Sequence, residues 1–396
     1  LNIMQSAKNS GSVVYNENAN FTTEGVTLNS QDIYNVAPYY NVIISPDKTH
    51  KDTLSVTLHG GPADGTKINF KISTSTSAIE TLMFEDPNLD AAIYSYLSSR
   101  LTTNSYIARA PYIINITQKE IANIKELDIS SMQIQKLKGL SNFINLQNLN
   151  LSNNKVSDDS EIKYLTNLTT LNFANNQLNN KYSSIENLYT LTNLDLTGNN
   201  IQDLNSINNF ITNMQSNKKT AKLVNLTLAN NNISDVDILS KLTTLQKLNI
   251  SNNKIQDITP IKTDVSIDTL NISGNSIENI DILNQLQSVR TLNMANNLIQ
   301  DITPITNLSL TSLDISGNRI TNIDPIKTQT GLIDLYINNN KIDDVSAIEQ
   351  LLLRGTFEAK QQKITKILNQ DATGTITMEL PAIFKSAKNT GSKVYT

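Results

Sequence analysis

From Ile124 onward one pattern governs the chain: L-x-x-L-x-L-x-x-N-x-I, repeated ten times up to Ile342. The copies start at Ile124, Leu146, Leu168, Leu191, Leu223, Leu245, Ile267, Val289, Leu310 and Leu332, in steps of 22, 22, 23, 32, 22, 22, 22, 21 and 22 residues. The L-x-L core alternates with period two, the signature of a short strand with one buried face. A unit this small cannot bury its apolar side alone, so successive units must stack and align their strands in one parallel sheet. Ten strands at about 4.8 Å spacing predict a sheet roughly 45–50 Å across. Apolar positions between the strands, such as Ile258 and Ile261, fill the interior from the convex side, where Pro260, Pro304 and Pro325 sit away from the ladder.

Three departures and columns stand out within the array. The ninth position is Met132 in the first copy and asparagine in the other nine: Asn154, Asn176, Asn199, Asn231, Asn253, Asn275, Asn297, Asn318 and Asn340. An amide both donates and accepts, so a column of them can satisfy backbone groups at the bend after each strand. We read this column as structural. Four residues further on lie Asp158, Asn180, Asp203, Asp235, Asp257, Asn279, Asp301, Asn322 and Asp344, which suit turns closed by a side-chain oxygen better than calcium ligation. In the fourth unit, Ile207, Phe210, Ile211 and Met214 have helical spacing, which predicts a longer convex helix.

Composition excludes several functions. The 396 residues imply two or three units. A net charge of −4 without a charge block leaves no footprint for nucleic acid or membrane, and no apolar run approaches membrane-spanning length. There is no cysteine and there are two histidines, so disulfides, thiolate chemistry and the usual zinc sets are out of reach. No triad or phosphate loop is present, and the pairs Asp158–Asp159 and Asp343–Asp344 read as surface charge on repeat turns. We therefore expect no catalytic residues, no metal and no cofactor.

The flanks differ from the array. Residues 84–101 carry F-x-D-x-N-L and an amphipathic helix starting near Pro87, and Thr117–Glu120 form a capping box. This segment suits the cover that the end of a stacked array needs. With I-T-x-x-E-I, L-D-I-S and the 22-residue unit N-x-I-x-D-I-x-P-I, it resembles the internalin-like bacterial surface proteins, a class of leucine-rich repeat proteins. The resemblance covers about 84–365. It implies an α/β solenoid with its parallel sheet on the concave face, and an Ig-like β domain after the repeats. The resulting partition is 1–77, a small β-sandwich-like domain; 78–123, a helical N-terminal cap; 124–365, the solenoid with a degenerate last unit; and 366–396, the start of a second β domain. SAKNSGSVVY (6–15) returns as SAKNTGSKVY (386–395), with eight of ten positions identical 380 residues apart. That suggests a parent protein alternating β domain and solenoid, with its signal and anchor outside these residues.

The same resemblance implies a secreted, non-catalytic adhesion module at a bacterial cell surface, acting as a monomer on a protein or glycan partner through the concave face. Strand positions two, three, five, seven and eight should point outward. Most are small and polar, which makes poor hot spots. The exceptions fall late: Lys247, Arg290, Ile333, Asp334 and Tyr336, with Tyr336 the only aromatic residue at an outward position. These five are the expected partner-binding residues. The alternatives are a structural spacer, or the targeting region of a cell-wall enzyme whose catalytic domain lies elsewhere.

Overall fold

The computed structural model describes residues 21–23, 26–28, 41–46, 53–59, 67–71, 79–100, 107–110, 113–220, 222–263, 266–348, 351 and 355–363. The chain divides into two compact units, Leu1–Ser77 and Ala78–Thr396. In the first, β1 (Phe21–Thr23) and β2 (Val26–Leu28) form an antiparallel pair. Strands β3 (Asn41–Pro46), β4 (Thr53–His59) and β5 (Lys67–Lys71) form an antiparallel sheet in that order. The sandwich closure expected of 1–77 and the second β domain expected over 366–396 lie outside the described residues.

The second unit starts with a cap that is not all helical, a correction to the expectation for 78–123. Strands β6 (Ile79–Met83), β7 (Ile107–Ala110) and β8 (Ile113–Thr117) make an antiparallel sheet ordered β6-β8-β7, accompanied by α1 (Pro87–Arg100) and α2 (Gln118–Asn123). The reason is local: Ile114 and Ile116, two residues apart, are both fully buried, so this stretch follows the strand period. Helix α1 buries Leu89, Ala92, Ile93 and Leu97, and the Thr117–Glu120 capping box opens α2.

The F-x-D-x-N-L residues join cap to array. Asp86 caps α1 through the Asn88 and Leu89 N–H groups (2.8 and 3.3 Å). Its other oxygen accepts from Gln135 and Lys136 in the first coil (2.6 and 2.9 Å). Burial alone would raise the Asp86 carboxyl, but these four N–H donors hold it below the usual carboxylate range. Asn88 donates to the Gln133 carbonyl (3.1 Å). Phe84 packs on Gly139 (φ +102°), where a Cβ would fall 2.4 Å from the Met83 carbonyl.

Eleven parallel strands then stack in chain order. They are β9 (Glu126–Asp128), β10 (Asn148–Asn150), β11 (Thr170–Asn172), β12 (Asn193–Asp195), β13 (Asn225–Thr227) and β14 (Lys247–Asn249). The rest are β15 (Thr269–Asn271), β16 (Thr291–Asn293), β17 (Ser312–Asp314), β18 (Asp334–Tyr336) and β19 (Phe357–Glu358). Leu127, Leu149, Leu171 and their successors to Leu335 are in register and buried. Phe357 ends this column and is 43 % exposed.

Each asparagine of the ninth-position column ties its own coil to the one before. Asn253 is typical: its amide donates to the Leu228 carbonyl of the preceding coil (3.0 Å) and to Ile250 and Ser251 of its own (3.1 Å each). Its oxygen accepts from the Ile233 N–H (3.0 Å). All nine make the cross-coil donation. In the degenerate last unit Gln362 takes the same role, donating to Ile337 and accepting from Ile342 (2.7 and 3.2 Å). The column four residues on closes turns onto the N–H two residues ahead, at 2.7–3.0 Å, in every copy but one. Asn180 instead accepts from Gln202 in the following coil.

On the convex side, α3 (Asn205–Ser216) buries Ile207, Phe210, Ile211 and Met214. It leans on the preceding coil through Asn209–Glu186 (2.9 Å) and Asn217–Tyr189 (3.2 Å). The 21-residue step has its own repair. In normal coils the first-position N–H bonds the carbonyl three residues back, as in Leu146 to Phe143 and Leu191 to Leu188. The coil before Leu310 is one residue short, and the buried Leu310 N–H bonds the Gln329 side-chain oxygen instead (3.0 Å). The Gln329 amide returns to the Ile305 carbonyl (2.9 Å), and the residue is 1 % exposed at a position held by Phe143, Leu165, Leu188, Leu242 and Leu286 in other coils.

Two stability measurements follow from these bonds. Asn253→Ala leaves the Ile233 N–H unsatisfied and takes one of two donors from the Leu228 carbonyl, and should cost about 1–3 kcal/mol in a denaturant titration; an unchanged midpoint would contradict the role of the column. Gln329→Leu matches the neighbouring coils, yet should also cost about 1–3 kcal/mol. Inserting one residue between Leu308 and Ser309 in that variant should recover the loss, and a failure to recover would separate Gln329 from the missing residue.

Candidate binding surface

The concave face is the sheet β9–β19, and its side chains are less free than the sequence implies. At position five, Asp128, Asn150, Asn172, Asp195, Asn249, Asn271, Asn293 and Asp314 each accept the N–H two residues ahead, at 2.9–3.1 Å. Position seven, expected to point outward, is buried at Ser152, Ala174, Ala229, Ser251 and Ala295. The small residues there fit a chain already bending away from the sheet. Position eight is left-handed in Asn153, Asn175, Asn230, Asn252, Asn296 and Asn339, with φ between 52° and 58°. Side chains of neighbouring coils bond each other there, Asn175 to Asn153 at 2.9 Å and Asn252 to Asn230 at 3.0 Å. Positions two and three remain to meet a partner.

Position five departs from Asn or Asp twice, at Thr227 and at Tyr336, and Tyr336 is the larger break. It supplies no turn bond, and the Asn338 N–H is taken instead by the Ser316 hydroxyl of the preceding coil (3.2 Å). Ile333, three residues earlier, is 44 % exposed. Arg290 lies in register with it two strands away, through the bonds Thr311 N–H to Arg290 and Ile333 N–H to Thr311 (2.8 Å each), or about 10 Å along the sheet. The Arg290 guanidinium donates to the Gln287 and Val289 carbonyls (2.8 and 3.0 Å). Lys247 heads the row Lys247–Thr269–Thr291–Ser312–Asp334, four strands and about 19 Å from Asp334. Asp334 accepts the Thr356 N–H of the last coil (2.7 Å), so one of its oxygens is engaged in closing that coil. Ile333, Tyr336 and, at a distance, Arg290 thus share one region, and Lys247 stands apart.

Two further carboxylate and aromatic positions depart from the sequence reading. Asp159 is not surface charge: it is buried, accepts the Ser184 N–H (2.9 Å), and burial pushes its carboxyl up to about 6. It lies between coils, where its backbone carbonyl also accepts the Ser184 hydroxyl (2.6 Å). Tyr96 on α1 reaches the edge of the concave sheet. Its hydroxyl donates to the Glu126 carbonyl of β9, and the Arg100 guanidinium lies over its ring, 4.4 Å from the centroid. The sequence signal was a tyrosine and an arginine four apart at the end of a helix that precedes the first strand. Among the described residues no cluster of three His, Cys, Asp or Glu could hold a metal, and no helix is long and apolar enough to cross a membrane.

This geometry is that of a leucine-rich repeat solenoid, and family models described as leucine-rich repeats match residues 189–204, 221–263, 265–307 and 308–350. Among solved structures, internalin InlF of Listeria monocytogenes aligns at 29 % identity over 68 % of this chain and 81 % of that one, with a TM-score of 0.55. Internalin C2 of the same organism aligns at 27 % identity over 60 % of this chain and 94 % of that one, with a TM-score of 0.50. InlJ, also from Listeria monocytogenes, shares the fold at 22 % identity over 73 % of this chain and 63 % of that one, with a TM-score of 0.51. No curated protein sequence gives a significant match. The chain is an internalin-like leucine-rich repeat protein.

The position-five rule can be tested by stability. Tyr336→Asn restores the missing turn bond and should leave unfolding free energy unchanged or up to about 1 kcal/mol higher. Asn293→Ala, which removes that bond elsewhere, should lower it by about 1 kcal/mol. A larger loss from Tyr336→Asn than from Asn293→Ala would mark the tyrosine as part of the scaffold.

Proposed function

We propose that this chain is a non-catalytic binding module of a bacterial cell surface, and that it holds a protein partner on the C-terminal half of its concave face. The contact is centred on Ile333 and Tyr336, with Arg290 at its margin. The observation that carries this reading is Tyr336: in the one late coil where the turn-forming amide is missing, an aromatic side chain stands in its place and the vacated N–H is satisfied from the neighbouring coil. Tyrosine and arginine are the residues that most often dominate a protein contact, and short amides and hydroxyls do so least. Likeness to internalins supports the binding class, and the lack of a metal-holding cluster among the described residues is compatible with it.

A second reading, a rigid spacer, rests on the position-five amides, which serve the fold itself over most of the face. The two readings separate by experiment. With a partner identified by surface plasmon resonance, Tyr336→Ala combined with Arg290→Ala should weaken binding at least tenfold, with the melting curve retained. Undiminished binding by that double variant would remove the contact from this region. Absence of any protein partner at high concentration would favour the spacer.

A further inference from the structure

We infer that Asp159 makes the seam between the second and third coils a pH-responsive joint, held firmly closed in acid and opening more readily as the medium turns neutral. The residue stands in the convex core. Five positions after the asparagine of each repeat the chain buries an apolar side chain, as at Leu204, Val236, Ile258, Ile280, Ile302 and Ile323. In the second coil that position is Asp159, and it is buried all the same, at 4 % exposure. The third coil meets it with Ser184, also buried, whose N–H donates to a carboxyl oxygen (2.9 Å) and whose hydroxyl donates to the Asp159 backbone carbonyl (2.6 Å). The third coil is also one residue longer than the second. Its extra residue falls between Asn176 and Ile185, where Asn179 and Asn180 are left-handed (φ 46° and 67°). Two irregularities, a carboxyl in an apolar column and an added residue opposite it, thus meet in one seam.

No cation offsets a charge at this point. The lysines of the two coils, Lys155, Lys163 and Lys181, are all exposed. Among their acids, Asp158 lies beside Asp159 and carries the same sign. Glu161 is turned to the first coil, where it accepts the Ser141 hydroxyl (2.6 Å), and Glu186 to α3, where it accepts from Asn209 (2.9 Å). The Tyr182 hydroxyl donates to the Asp203 carbonyl of the fourth coil (2.7 Å). Burial therefore outweighs the Ser184 bonds and, with Asp158 adding to it, pushes the carboxyl up to about 6. An ionised carboxylate in an apolar seam regains water most cheaply by parting the coils, and once hydrated it returns to the ordinary carboxylate range. The closed seam thus binds a proton that the open seam releases. Its stability is greatest below that ordinary range and is lost as pH rises through about 6. Carboxyls held below the ordinary range, such as Asp257 and Asp301, stay ionised throughout this window.

Native-state hydrogen exchange of the full chain, followed by mass spectrometry and corrected for intrinsic exchange rates, reads the joint in peptides spanning residues 156–166 and 178–190. Their opening constant should rise about tenfold from pH 5.0 to pH 7.4. Asp159→Asn keeps the acceptor and cannot ionise, and Asp159→Leu restores the apolar column; both should stay within twofold over that range. Peptides within residues 289–315, in distant coils, should not respond in any of the three chains. His50 and His59 titrate near this window but lie in the other unit and are common to all three chains, so they drop out of the comparison. Protection of the unaltered seam that is flat with pH would overturn the joint, as would an Asp159→Asn chain that keeps the tenfold rise. An equal rise within residues 289–315 would assign the effect to the whole fold and overturn it too. Should Asp159→Leu fail to fold, the asparagine variant decides alone.

Discussion

A parallel stack of short strands leaves one problem at each bend: backbone N–H and C=O groups point into the seam between coils, where water cannot reach. The ninth-position asparagine answers it with a single side chain, donating to the carbonyl of the coil before and accepting from that coil's returning N–H. The residue is short enough to lie flat in the seam and carries both kinds of group. Because the same amide also bonds its own coil, every repeat is pinned to its neighbour at the same height, and the strands fall into register without slippage. The leucine column, the turn column and the concave face all inherit their spacing from this bond.

Irregular coils show how strongly that spacing is enforced. Ten added residues in the fourth unit go into α3 on the convex side, and the next asparagine still bonds across, Asn231 to the Leu196 carbonyl at 3.0 Å. One missing residue before Leu310 is absorbed by Gln329, whose side chain supplies the acceptor that the shortened backbone cannot. At the first coil Met132 stands where the column has asparagine, and one oxygen of Asp86 in the cap accepts the Gln135 and Lys136 N–H groups. Insertion, deletion and end are each met by a polar side chain that bonds the backbone of an adjoining segment.

The solenoid was legible because its information is repeated: period two within strands, 22 residues between them, and an invariant polar column. The cap was less so. Its helices announced themselves through Pro87 and the Thr117–Glu120 box, but β6 pairs with β8 across the whole of α1, Ile79 with Thr117, a separation that no local period reveals, while β7 meets β8 as a tight hairpin. The face was misread in the same way. Positions were sorted as inward or outward by alternation, which holds for the three residues of each strand and fails at position seven, where the chain has begun to bend. Asp159 failed for a related reason, since two adjacent acids look equivalent in sequence while only one of them turns into the seam.

Those misreadings bear on where binding can reside. A repeat that folds by side-chain hydrogen bonds uses its polar surface internally, so a polar concave face is not by itself a receptive one. Amides and carboxylates at position five hold turns, and amides at position eight hold one another. What remains available is found where the pattern is broken and something else has taken over the structural duty. Tyr336 is such a break, with Ser316 standing in. Tyr96 is another, because an edge strand has no neighbour and the cap must complete it with a side chain. Both breaks put an aromatic ring near an end of the sheet. The ends of the array, where repetition can no longer satisfy the backbone, are where side chains outside the pattern take over that duty.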